Sequence, residues 1–362
     1  MELELRPDFD EVYERYEAFW NRSVADRPLV CMTLPRDPSP GERRPASFDR
    51  DYPDHRARWL DFGARVEQTV WNLEHTHYLG DALPTVFPNL GPEIFSAWCG
   101  CGYEFGEHTT WSTPCIEDWD RDAPRARLDL EHPLFKALLE FTDLLIEAGR
   151  GRFIVGLTDF HPGGDHLAAL RDPARLAVDL IENPDWVKRM VPVATEEYFT
   201  AYDVFYDCIH AAGMPATSWI PLVCFGRYYI PSNDFSAMIS PAMFEEFFLD
   251  GIAEECRHLD RSIYHLDGPD AIRHLDLLLG IDELDAIQFV PGAGNESLER
   301  WMPLYEKIQG AGKAMQILDV NVDNLELLFE RLRPEGVYVG GVGGVHDRGT
   351  AEAVLKRFAA WR

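Results

Sequence analysis

Short apolar runs alternate along the chain with longer amphipathic ones. The runs Leu29–Leu34, Ala82–Phe87, Phe153–Thr158, Ala216–Val223, Ser262–Leu266, Ala286–Val290, Ala314–Leu318 and Gly336–Val339 predict eight strands. Between them lie helical patterns. Pro133–Ala148 carries Leu134, Leu138, Phe141 and Leu145 at three- and four-residue spacing, so one face is apolar. Pro173–Ile181 ends at Asn183-Pro184, and Pro241–His258 starts after Ser240, a hydroxyl N-cap followed by proline at the first helical position. Glu299–Gly310, Asn324–Leu332 and Thr350–Trp361 complete the set, and Asp37–Asp54, rich in breakers, reads as a loop. Strands alternating with helices predict a parallel sheet, either a closed eight-stranded barrel or an open doubly wound one, and the count of eight favours the barrel. No linker or repeat divides residues 1–362.

The chain is 46% hydrophobic, enough for a large core. Its formal net charge of −28 repels phosphate backbones and anionic lipid, which argues against nucleic-acid and membrane-surface partners. Seven cysteines without paired spacing argue against a disulfide framework. The start, MELELRPDFD, lacks the basic and apolar regions of a signal peptide, so the expected setting is cytoplasmic.

In a barrel the chemistry sits in loops after the strands. Asp159, His161, Asp165 and His166 follow the third strand, an arrangement able to bind metal or transfer protons. Arg227, Tyr228, Asn233 and Asp234 follow the fourth; arginine holds carboxylates, and the others offer stacking and hydrogen bonds. His265 and Asp267 share one side of the fifth strand, because side chains alternate with period two. Gly341 and Gly343 permit close backbone approach by a ligand, with His346 behind them. His75, His77 and His274 read as surface residues.

Taken in order, these segments resemble the uroporphyrinogen decarboxylase superfamily. The resemblance rests on Gly80–Gly91 ahead of Trp98–Tyr103, on Phe153–Leu170, on Tyr264–Gly268, on the Gly-rich last turn, and most specifically on Ser232–Phe248 (SNDFSAMISPAMFEEFF). It implies a single (β/α)8 TIM barrel, here with an N-terminal helical extension. It implies either decarboxylation or methyl transfer between a small substrate and a corrinoid or thiol carrier, the corrinoid arriving on a partner protein. The zinc-binding members use a His-x-Cys pair and a later cysteine. In this chain Asp267 replaces the first cysteine and Gly340–Gly344 contains none, which leaves a harder site for zinc or another divalent metal using His265 and Asp267 with His161 or His346. The decarboxylase branch's arginine cluster is missing from Arg27–Arg36, and its acid after the second strand is replaced by Asn89, a candidate substrate contact.

The expectation is therefore a methyltransferase-like enzyme, with catalytic His265, Asp267, Asp159 and His161. Asp165, Arg227, Tyr228, Asn233, Asp234, Asn89, Gly341 and Gly343 are its substrate contacts. A metal-independent decarboxylase or lyase anchored by Arg227, a non-catalytic corrinoid- or tetrapyrrole-binding protein, and a homodimer stay open.

Overall fold

A computed structural model describes all 362 residues. Its strands are β1 (Leu29–Pro35), β2 (Thr76–Gly80), β3 (Thr85–Val86), β4 (Gly102–Phe105), β5 (Thr110–Thr113), β6 (Ile154–Val155), β7 (Tyr228–Tyr229), β8 (Arg261–Asp267), β9 (Ala286–Val290), β10 (Ala314–Ile317) and β11 (Val337–Val339). Seven form one sheet in the order β2-β1-β11-β10-β9-β8-β7, parallel throughout except for β2 against β1. A second parallel pair, β3-β6, and the antiparallel hairpin β4-β5 complete the set.

Segments flanking the β3-β6 pair hydrogen-bond to their neighbours. Leu157 N donates to Thr217 O at 2.7 Å and Ser218 Oγ to Leu157 O at 3.0 Å, while Asp81 N donates to Val30 O at 2.7 Å. The predicted fourth strand, Ala216–Val223, is not one. It makes a lone bridge, Ala216 to Cys224, and carries Pro221, whose ring nitrogen has no proton for a ladder. Its place in the sheet is taken by Tyr228–Tyr229.

The helices match the apolar periodicity with one exception. Pro133–Gly149 buries Leu134, Leu138, Phe141 and Leu145, whereas the predicted helix Pro241–His258 breaks at Phe248 into Pro241–Phe247 and Leu249–His258. The N-terminal helix Phe9–Trp20 buries Phe9, Val12, Tyr16, Phe19 and Trp20 on one face. Its Trp20 packs on Tyr228 and its Phe19 on Tyr338, and Trp20 Nε1 donates to Val223 O. A buried ion pair ties this region together. Asp81, fully buried, takes both guanidinium arms of Arg27 and the amide of Val30. No helix is long and apolar enough to cross a membrane.

Candidate active site

The C-terminal end of β8 delivers His265 and Asp267, and a parallel run beside it delivers Asp234. His265 N donates to Pro231 O at 3.0 Å, and Ser232 bridges to His265. From the loop after β6 come Asp159, His161 and Asp165. Asp165 does not cap its own helix. Its two oxygens accept from the amides of Asp234 (2.9 Å) and Phe235 (2.8 Å), locking the two loops together. Tyr229 braces the same loop: its hydroxyl donates to Thr158 O at 2.9 Å and accepts from Phe160 N at 2.6 Å.

Two sets of potential metal donors result, His161 with Asp165 and Asp234, and Asp234 with His265 and Asp267. Within each set the ligand atoms lie within 4.8 Å of one another, and Asp234 belongs to both. Asp159 Oδ2 lies 3.5 Å from His161 Nε2, and Asp234 Oδ1 lies 4.0 Å from His265 Nε2. Asp234 Oδ1 and Asp159 Oδ1 are buried without a hydrogen-bond partner. Such oxygens are costly unless a proton or cation meets them. His161 has a left-handed backbone, φ 43°, so the loop holds its imidazole in place against local preference.

His265 is oriented from behind. Its Nδ1 meets Gln288 Oε1 at 2.5 Å, and Gln288 Nε2 donates to Gln316 Oε1 at 2.6 Å. The three residues are in register across β8, β9 and β10, so their side chains share a face. With the amide so placed, Nδ1 carries the proton and the Nε2 lone pair faces the carboxylates. The Trp219 ring stands edge-on to His265 at 5.0 Å.

Burial and crowded acids set the protonation states. Burial pushes the Asp234 carboxyl up, and the charges of Asp165, Asp267 and Asp159 push it further, to about 7. Burial lifts Asp159 too. Burial alone would lower His161, but Asp159, Asp165, Asp234 and Glu93 together carry it above its ordinary value, whereas burial lowers His265. The two imidazoles are thus driven in opposite directions, His161 toward its charged form and His265 toward its neutral one. A cleft of about 490 Å³ opens over His161, Asp165 and Asp234, flanked by exposed Trp111 and Met238.

Several expected residues lie elsewhere. Arg227 pairs with Asp203 and His258, and its neighbour Tyr228 is in register with Arg261, the first residue of β8. That places it four residues, about 13 Å, along the strand from His265. Tyr228 itself is core, its hydroxyl donating to Ile220 O. Asn233 is buried with both amide atoms unpartnered, pressed against Gly164. Asn89 caps its own turn through Gly91 N at 2.6 Å. Gly341 lines a second cleft with no charged residue in its walls, and Gly343 bridges to Asn321. His346 is exposed and joins neither donor set. His274, read as a surface residue, is fully buried and bonds Ser236 O. Gln288, Gln316 and Trp219 were not among the expected residues.

No protein-family model matches the chain, and no curated protein matches it. Its fold is similar to that of a methyltransferase from Methanosarcina mazei. The TM-score is 0.60 and the identity 13%, over 96% of this chain and 98% of that one. At that identity the likeness establishes a shared α/β architecture along nearly the whole chain.

Proposed function

We propose that the chain is a methyltransferase-like enzyme of the uroporphyrinogen decarboxylase superfamily, folded as one closed (β/α)8 domain. It moves a methyl group between a small substrate and a corrinoid or thiol carrier. The observation that carries the reading is the convergence of His161, Asp165, Asp234, His265 and Asp267 at one end of the parallel sheet. The likeness to the Methanosarcina methyltransferase supports the same direction.

The donors are nitrogen and oxygen, with no thiolate among them, and two carboxylate oxygens, Asp234 Oδ1 within the sets and Asp159 Oδ1 beside them, lack partners. Such a set suits a divalent ion held by Asp234, His265 and Asp267, with His161 and Asp165 as the adjoining set. A bound ion would supply Lewis acidity, lowering the pKa of a substrate hydroxyl or thiol. The chain's own residues do the rest. Gln288 fixes the His265 tautomer, and Asp165 holds the Asp234 loop in place. His161, whose proton affinity the surrounding acids raise, is placed to exchange a proton with the leaving or accepting atom.

The decarboxylase alternative needs a cation to hold a carboxylate. Arg227 is committed to Asp203 at the other end of the strand, so that reading loses its anchor. The test is methyl exchange between methylcobalamin and small thiols, with and without added zinc. Metal-dependent transfer that falls about 100-fold or more in His265→Ala is expected. Equal turnover by the metal-free wild type and the variant would overturn the reading.

A further inference from the structure

A second cleft, of about 540 Å³, is lined by β1, β2, the Ala82–Thr85 segment and the end of β11. That volume falls within the roughly 300–1,000 Å³ of small-molecule sites. No charged residue and no histidine lines it. In a chain of net charge −28 such a lining is a selective feature. Its closed end is formed by Tyr16, Cys31 and Tyr338, all buried, and its open end by Thr33, Gly340 and Gly341. Tyr338 is fully buried, and its hydroxyl has no hydrogen-bond partner. A buried hydroxyl left unpaired is costly, and a ligand acceptor would satisfy it.

The cleft adjoins the donor cluster along two routes. Tyr338 is in register with Gln316, the last member of the chain from His265 through Gln288. Gly340 backs the same glutamine so closely that a Cβ there would lie 2.5 Å from Gln316 Nε2. The second route is the segment Trp219-Ile220-Pro221, which sets Trp219 against His265 and Pro221 against the cleft.

We infer that this cleft is the substrate lobe of the site, and that it takes an uncharged molecule bearing a hydrogen-bond acceptor, which Tyr338 engages. The inference builds on the proposed reaction, because it supplies the body of the molecule whose reacting atom reaches the His265 side. An ionised carboxylate would enter a lining with no cation to meet it, against the field of an acidic protein.

The experiment is calorimetric titration of the intact protein with anisole and, separately, with benzoate, which has the same ring and a charge. Saturable anisole binding is expected, with benzoate at least tenfold weaker. Two variants locate it. Gly341→Leu adds a side chain where a Cβ meets nothing within 4 Å, so the fold tolerates it while the lobe fills; it should weaken anisole at least tenfold at an unchanged melting temperature. Tyr338→Phe should weaken anisole about fivefold, the worth of one net hydrogen bond. Benzoate binding as tightly as anisole, or anisole binding untouched by Gly341→Leu, would overturn the lobe. Anisole binding in a protein that transfers no methyl group would retire the reaction and leave the lobe standing. Methyl transfer by a protein that binds no anisole would do the reverse.

Discussion

Glu255 gives the sharpest test of how the ground behind the site is built. It sits on the helix Leu249–His258, 1% exposed, with neither carboxyl oxygen hydrogen-bonded. Gly163, at the start of the helix that carries Asp165, lies against it: a Cβ there would come 3.3 Å from Glu255 Oε1. Burial, aided by the charge of Asp165, pushes the carboxyl well above its ordinary 4.5, so the folded chain keeps a proton that the unfolded chain releases. With fewer protons bound in the unfolded state, stability falls as pH rises above 4.5, at up to about 1.4 kcal/mol per pH unit. An unfolding entropy of ~2.1 cal/mol/K per residue makes 1 kcal/mol worth ~1.3 °C in a chain this long. Glu255→Gln keeps the shape and removes the titration. Calorimetric melting at pH 5 and pH 7 should show the variant gaining on wild type as the pH rises, by up to ~1.8 °C per pH unit. Parallel pH profiles for the two proteins would refute the reasoning.

Three further outcomes follow from particular contacts. Asp81→Ala strands the Arg27 guanidinium in the interior and should cost about 3–5 kcal/mol in denaturant unfolding. Gln288→Leu frees the ring that Gln288 now orients, and should weaken zinc binding about 10–100-fold by competition with a chromogenic chelator. Arg227→Ala should leave methyl-transfer kinetics within about twofold of wild type, since Arg227 sits beside the Arg261 end of β8, four residues along the strand from His265; a loss of kcat above tenfold would mean that the site has been placed at the wrong end.

The strands legible in the sequence were those buried on both faces. Leu29–Leu34, Ala286–Val290 and Ala314–Leu318 are near-continuous apolar runs, as a covered parallel sheet demands. Ala216–Val223 has the same composition, but Pro221 denies it a ladder, a breaker signal that apolarity outweighed. The polar loops after the third and fifth strands were visible because acids and imidazoles crowd directly behind apolar runs. Which tyrosine of the pair 228–229 faces the loop was not visible, because adjacent residues point to opposite sides and the register decides. Gln288 and Gln316 did leave a signal. A glutamine inside AIQFV or AMQIL must find a buried partner, and here each finds the other. Glu255 left none, since IAEECRH reads as an ordinary amphipathic helix whose acids face water. His274 misled in the same way, as its bond to Ser236 O spans 38 residues.

The central claim is that Asp234 and its neighbours form a cation site. Titration of zinc into the chelator-stripped protein at pH 7.5, followed by calorimetry on wild type and on Asp234→Asn, tests it without any assumption about the reaction. Stoichiometric binding by the wild type is expected, with affinity at least about 100-fold weaker once the carboxylate common to both donor sets becomes an amide. Identical isotherms for the two proteins, or no zinc bound by either, would contradict it.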